Sequence, residues 1–263
     1  MLTSPDNPKI KEVIALRKAN YRRQAKRFVI EGYQEFKLAL SSNVSLEGVY
    51  FHPEFFARDD ERELLGQAQA KGASLFEVNE RVYNKIAFGS RREGLVAIAR
   101  QWKLSLADLR PCENPFLVVA EGIEKPGNLG AIIRTADAAG VDALIVSGAV
   151  TDIYNPNVVR SSLGTLFCVK VIKAEVEEAL SWLKAQHLKI VCANVQGKLA
   201  YTSMDFRAPC AIVLGSEEKG ISAMWKDNAD EQVYIPMAGR ADSLNVSVAA
   251  GLLLFEVVRQ RMG

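Results

Sequence analysis

Phe116-Leu-Val-Val-Ala-Glu-Gly122, Asn128-Leu-Gly-Ala-Ile-Ile-Arg134 and Ala143-Leu-Ile-Val-Ser147 follow one another within 32 residues. The first and third are near-continuous apolar runs, as expected of strands covered on both faces. Between them the helical spacing of Ile132, Ile133 and Ala136 predicts a helix over 129–139, flanked by strands over 116–122 and 143–147. The alternation continues with helix 156–163, strand 168–172, helix 176–186, strands 189–195, 210–214 and 232–237, and a last helix over 245–261. Apolar strands alternating with helices imply an α/β fold with a parallel sheet.

A different pattern precedes it. Short strands over 28–31, 46–51, 74–78 and 94–99 are separated by helical stretches such as 33–40 and 61–71, giving a smaller α/β sandwich. Residues 101–115, with Leu104-Ser-Leu-Ala-Asp108 and two prolines, read as a linker holding one helical turn. A chain of 263 residues, 49% of them apolar, has enough material for two domains of ordinary size. The boundary is expected near Leu109, giving domains over 1–109 and 110–263.

The overall charge of +2 conceals an asymmetry. Residues 1–110 carry 19 Lys and Arg against 14 Asp and Glu, whereas residues 111–263 carry 14 against 17. Most of the excess is Lys9, Lys11, Arg17, Lys18, Arg22, Arg23, Lys26 and Arg27, with Tyr21 among them and Glu12 opposing. Such a stretch neutralises phosphates and offers a ring for base stacking, though a solvated helix face looks the same. Lys9, Lys18, Arg22, Arg23 and Arg27 are the candidate nucleic-acid contacts.

Several classes are disfavoured. No segment has the roughly 18 uninterrupted apolar residues of a membrane span, and Met1 to Lys11 lacks the pattern of a signal peptide, so a soluble cytoplasmic protein is expected. Cys112, Cys168, Cys192 and Cys210 are widely spaced, three of them in apolar β-like runs; buried thiols are expected, with neither disulfides nor a metal site. His52 and His187 lie far from the polar segments, against a nucleophilic triad.

Two more segments join Asn128–Arg134 as polar punctuation at strand ends: Leu214-Gly-Ser-Glu-Glu-Lys-Gly220 and Ile235-Pro-Met-Ala-Gly-Arg-Ala-Asp-Ser-Leu-Asn-Val246. Carboxyl ends of strands are where open α/β sheets bind ligands. Each residue also has a structural explanation. Asn128 suits the cap of the helix after it, Glu217 a turn, and Ser243 or Asn245 the cap of the last helix. Arg134, on a mostly apolar helix, needs an anionic partner if buried, Glu121 or Asp137 among the choices. The glycine pattern of a dinucleotide turn is absent after the first strand, and Ile221 stands where a P-loop requires lysine. Acidic Glu217 and Glu218 suit a cationic or neutral ligand better than a phosphorylated one.

N-x-G-x-x-x-R, then L-G-x-E-x-x-G, then I-P-M followed by S-L-N-V-S-V-A, in this order, resembles the SpoU (TrmH-type) RNA 2′-O-ribose methyltransferases of the SPOUT superfamily. The resemblance spans Phe116 to Arg261. Ser4-Pro-Asp-Asn-Pro-Lys-Ile-Lys, the basic helix and Phe28-Val-Ile-Glu-Gly32 are more loosely similar to the family's L30e-like substrate-binding domain.

The resemblance implies a deep trefoil knot in the second domain and S-adenosyl-L-methionine as methyl donor, with Asn194, Leu214, Gly215, Gly220, Ile235, Met237 and Leu244 in its pocket. Methyl transfer to a ribose 2′-hydroxyl is assigned to Arg134, with Asn128, Glu217, Ser243 and Asn245 shaping the site. An arginine base is awkward, because a guanidinium gives up its proton only far above neutral pH, and an electrostatic role fits better. The resemblance further implies a homodimer that completes the site, with Val248, Leu252, Leu253, Phe255 and Val258 of the last helix as candidate interface. The implied substrate is structured RNA, above all ribosomal RNA of the 23S type; transfer RNA, or RNA binding without catalysis on the same fold, are the alternatives.

Overall fold

The structure, a computed structural model, describes residues 1–88, 92–110, 112–148 and 151–262. The first half runs α1 (Pro8–Ala15), α2 (Ala19–Ala25), β1 (Arg27–Glu31), α3 (Tyr33–Ser41), β2 (Leu46–Phe51), α4 (Glu61–Ala70), β3 (Ser74–Glu77), α5 (Glu80–Ile86) and β4 (Leu95–Arg100). Then come β5 (Phe116–Glu121), α6 (Pro126–Ala138), β6 (Ala143–Ser147), α7 (Pro156–Ser161), β7 (Val171–Ala174), α8 (Val176–Ala185) and β8 (Lys189–Ala193). The chain closes with β9 (Leu199–Ala200), β10 (Cys210–Leu214), α9 (Ala223–Asn228), β11 (Glu231–Tyr234) and α10 (Val246–Met262). These elements form two compact units, Met1–Trp102 with Asp152–Cys168, and Lys103–Thr151 with Val169–Gly263.

The first unit has a four-stranded sheet in the order β1-β4-β2-β3, antiparallel except between β2 and β3. The excursion 152–168 packs here, although the sequence pattern reads its helix as part of the second domain. Its reason for docking is aromatic. Phe28 of β1 meets Tyr154 at 4.9 Å, Trp102 at 5.9 Å and Phe167 at 6.2 Å between ring centroids. Gly164, at φ +84°, sits so close to α3 that a Cβ would lie 2.8 Å from the Cα of Glu35, so no other residue fits there.

Arg22 corrects the reading of the basic stretch. It is 1% exposed, and its Nε and Nη2 donate to Asp152 Oδ2 at 3.0 and 2.8 Å. Its Nη1 donates to the carbonyls of Leu16 and Arg17 at 3.0 and 2.7 Å. A buried guanidinium with these acceptors is a structural tie and not a nucleic-acid contact. Arg27 is half-buried, paired with Glu12 and with Glu47 at 3.5 Å. Lys9, Lys18 and Arg23 are exposed; Lys9 lies over the Phe76 ring at 4.6 Å.

The second unit is built on a seven-stranded parallel sheet, β7-β6-β5-β10-β8-β11-β9. Every residue of β5, β6 and β10 is buried, which is why these strands read as continuous apolar runs. Leu117, Val119, Ile145, Ala211 and Val213 face a core that α8 and α9 close with Leu180, Leu183 and Trp225. The alternate strand positions face the other way. There α6 and α10 pack together, burying Leu129, Ile132, Ile133 and Ala136 of α6 with Ala250, Leu253, Leu254 and Val257 of α10.

Leu106 and Leu109 are buried in the same core, and Ser105 with Asp108 closes a one-turn capping box, so the expected linker is part of the second unit. The cysteine expectation holds for Cys192 and Cys210 only. Cys112 and Cys168 are exposed; Cys168 follows the 3-10 turn Thr165–Phe167, and β7 starts three residues later than expected. Among the described residues no helix is long and apolar enough to cross a membrane.

Arg22→Ala leaves Asp152 and two carbonyls without their donor, and should destabilise the protein by about 3 kcal/mol in urea unfolding. Arg23→Ala, one residue on and exposed, should change stability by less than about 0.5 kcal/mol.

Candidate active site

The loop after β10 is unusually tight. Ser216 and Gly220 exchange backbone hydrogen bonds, with Ser216 N–H donating to Gly220 O at 3.1 Å and Gly220 N–H to Ser216 O at 3.0 Å. Lys219 N–H donates to Ser216 Oγ at 3.0 Å, and Gly220 takes φ +64°. A Cβ on Gly215 would fall 2.3 Å from the carbonyl carbon of Gly220, so the close return of the loop requires glycine at that position. The P-loop-like glycine spacing therefore closes a small hairpin, at whose tip Glu217 and Glu218 project.

Glu217 is where the three polar segments meet. Its Oε1 accepts from Asn128 Nδ2 at 2.7 Å and from Asn245 Nδ2 at 2.6 Å, while Asn245 Nδ2 also lies 3.3 Å from Asn128 Oδ1. Its Oε2 is 2.5 Å from Lys125 Nζ. The Lys125 ammonium, followed by the two amides, holds the Glu217 carboxyl below the usual carboxylate range against its partial desolvation, and Glu217 raises Lys125 in turn.

Local structure delivers each partner. Pro126 opens α6, so Asn128 is the helix's third residue and not its cap, and its side chain reaches outward to Glu217. Asn245 precedes α10 and does both things the sequence allows: its Oδ1 accepts from Ser247 N–H at 3.0 Å and Ser247 Oγ at 2.6 Å, while its amide nitrogen serves Glu217. Lys125 and Ser247 escaped the sequence reading, the lysine because one exposed basic residue before a proline carries no spacing signal.

Beside this network lies a cavity of about 410 Å³, within the range of small-ligand sites. Asn194, Leu214, Gly215, Gly220, Ile235, Met237 and Leu244 all line it, as do Glu217, Glu218, Asp242 and Ser243. The side chain of Asn194 is already engaged, donating to Gln232 Oε1 at 2.9 Å and accepting from Gln196 N–H at 3.1 Å, so it shapes the wall. A second cavity of about 240 Å³ adjoins the first through Glu217, Glu218 and Val246, and is otherwise lined by Ile123, Glu124, Lys125 and Asn128.

Arg134 is elsewhere. It lines neither cavity, is exposed, and has no hydrogen-bond or ion-pair partner among the described residues, so burial against Glu121 or Asp137 does not occur. Glu121 instead accepts from Ser222 N–H at 2.8 Å. Six residues beyond Asn128, Arg134 stands about 9 Å further along the helix and turned by roughly a third of a revolution.

Residues 7–97 match the MRM3-like substrate binding domain. A 23S rRNA (uridine(2479)-2′-O)-methyltransferase of Streptomyces viridochromogenes is 38% identical over 59% of this chain, which spans 56% of that protein. The 23S rRNA (guanosine-2′-O-)-methyltransferase RlmB of Vibrio parahaemolyticus is 33% identical over 78% of this chain and 86% of its own. The crystal structure of an AdoMet-bound rRNA methyltransferase from Sinorhizobium meliloti superposes with a TM-score of 0.90 at 31% identity, covering 98% of this chain and 97% of that one. Residues 115–255, more than half of the chain and containing all three polar segments, match the SpoU rRNA Methylase family, to which this chain belongs.

Proposed function

We propose that the protein transfers the methyl group of S-adenosyl-L-methionine to a ribose 2′-hydroxyl of ribosomal RNA of the 23S type. The observation that carries this reading is the meeting of Asn128, Glu217 and Asn245 beside the 410 Å³ cavity, in a chain whose relatives carry that activity in their names. The cavity suits the methyl donor chemically. Leu214, Ile221, Ile235, Met237 and Leu244 offer apolar surface to an adenosine, and Glu218 and Asp242 offer carboxylates to a cation on a wall that Lys219 and Lys226 also line. When bound, the cofactor supplies an electrophilic methyl group.

The chain's own residues then have separable tasks. Glu217 is held ionised by Lys125 and committed to two amides, which makes it a poor base and a good anchor. Both amide hydrogens of Asn245 are taken by Glu217 and Asn128, whereas Asn128 keeps one amide hydrogen for a ligand. Ser243 lines the same cavity. The Arg134 guanidinium is suited to hold the phosphate beside the target and to stabilise the oxyanion that forms as the hydroxyl attacks.

Because Arg134 lines neither cavity of its own chain, we assign its partner site to a second copy. Val248, Leu252 and Phe255 form an exposed apolar stripe on α10, at 51%, 39% and 48% exposure, at i, i+4 and i+7. Of the other expected interface residues, Leu253 is fully buried within its own unit and Val258 is intermediate. The exposed stripe supports an isologous homodimer. We also propose that residues 189–262 carry the family's deep trefoil knot, that the first unit is L30e-like, and that Lys9, Lys18 and Arg23 lead RNA to the site. A ribosomal substrate implies work in the cytoplasm.

Incubation with methyl-labelled S-adenosyl-L-methionine and unmodified ribosomal RNA should label one ribose, mapped by nuclease digestion; label in transfer RNA alone, or in neither, sinks the ribosomal assignment. Arg134→Ala should lower the rate about 100- to 1,000-fold, with cofactor affinity by calorimetry nearly unchanged. Arg134→Lys at wild-type rate removes any need for the planar guanidinium. In sedimentation at micromolar concentration the protein should run as a dimer and the Leu252→Glu, Phe255→Glu double variant as a monomer with little transfer; a monomeric wild type ends the shared-site idea.

A further inference from the structure

Glu217 has two oxygens with different employment. Oε1 gathers the amides of Asn128 and Asn245, and Oε2 has Lys125 alone, at 2.5 Å. A carboxylate turns easily about its last torsion, which is broad and two-fold. Two donors on one oxygen leave that torsion loosely set, and a cation on the other fixes the plane. Lys125 is well placed to do so, because Pro126 fixes its own φ and starts α6, which anchors the lysine's backbone at the mouth of the smaller cavity.

We propose that Lys125 is a positioning residue for methyl transfer: its ammonium sets the plane and the charge of Glu217 and, through Glu217, the orientation of Asn128 and Asn245. This rests on the functional reading above. The other charged groups near the pair are Glu124, next to Lys125, Glu218 and Lys219 in the loop of Glu217, and Lys226 and Asp242 on the wall of the larger cavity; among the described residues Asn128 of α6, Asn245 before α10 and Ser247 of α10 are the uncharged groups bonded into the network. Among the described residues Lys125 is the one cation bonded to Glu217.

The sign follows from the pairing. Lys125 favours the ionised carboxylate, so without it Glu217 takes up its proton at higher pH. A protonated carboxyl presents an O–H donor where the amides need an acceptor, and the network loosens.

The test follows the side-chain amide signals of Asn128 and Asn245 by nitrogen-15 NMR between about pH 4 and 7, in the full chain and in Lys125→Met and Lys125→Arg. The Met variant should titrate at higher pH and the Arg variant like wild type. Methyl transfer to ribosomal RNA by Lys125→Met should fall about threefold at about pH 5 relative to its own plateau, a modest loss suited to a solvent-screened pair, with KM for RNA unchanged. A Met variant that titrates like wild type overturns the proposal. So does a raised KM for RNA with an unmoved titration, which makes Lys125 a phosphate contact. If the wild type methylates no RNA, the functional reading fails while the amide titration still decides whether Lys125 governs Glu217.

Discussion

The hydrogen bonds that converge on Glu217 join residues far apart in the chain: Asn128 lies 89 positions before it and Asn245 28 positions after. They form only if three loop ends are delivered to one point. The sheet brings β5 and β10 side by side in parallel, so the turn before α6 and the hairpin after β10 leave from the same edge. The packing of α6 on α10 brings the other two partners together, because the first turns of both helices open at that edge. A change that tilted either helix would move an asparagine off the carboxylate before it touched the cavity wall.

The hairpin is the second constraint. Gly215 is not there for flexibility, since its neighbours leave no room for a Cβ against the carbonyl of Gly220. The closure fixes where the tip points, and the tip carries Glu217. One steric contact in the backbone thus sets the position of the carboxylate on which the site's polar groups depend.

Much of this was legible in the residues. β2, β6 and β10 fall where the apolar runs predicted them, and the other strands except β9 lie within three residues of their predicted bounds; for β5, β6 and β10 burial on both faces gives the continuous apolar run. The short β9 and α9 carry too little pattern to detect. The burial of Arg22 was invisible for a different reason: its carboxylate partner lies 130 positions away on an excursion that packs with the first unit. Asn128 reads as a cap until Pro126 is given its weight as the first residue of the helix, and then the same side chain has no capping work and becomes available to Glu217. Asn194, Leu214, Met237 and Leu244 were gathered only by the resemblance to the family; their shared cavity is a tertiary fact.

Charge separation completes the logic. The large cavity carries Glu217, Glu218 and Asp242 on its wall together with Lys219 and Lys226, whereas methyl transfer onto RNA, as proposed, also needs positive charge near phosphate. A phosphate-binding arginine beside Glu217 would compete with Lys125 for the carboxylate and be drawn away from an anion. α6 resolves this along its length. Its first turn gives Asn128, a neutral donor, to Glu217, and about 9 Å further on it presents Arg134, which has no carboxylate bound to it among the described residues. Among the described residues Lys125 is the one cation bonded to the Glu217 carboxylate, and under the proposed function the exposed guanidinium of Arg134 remains for an anion supplied by the RNA.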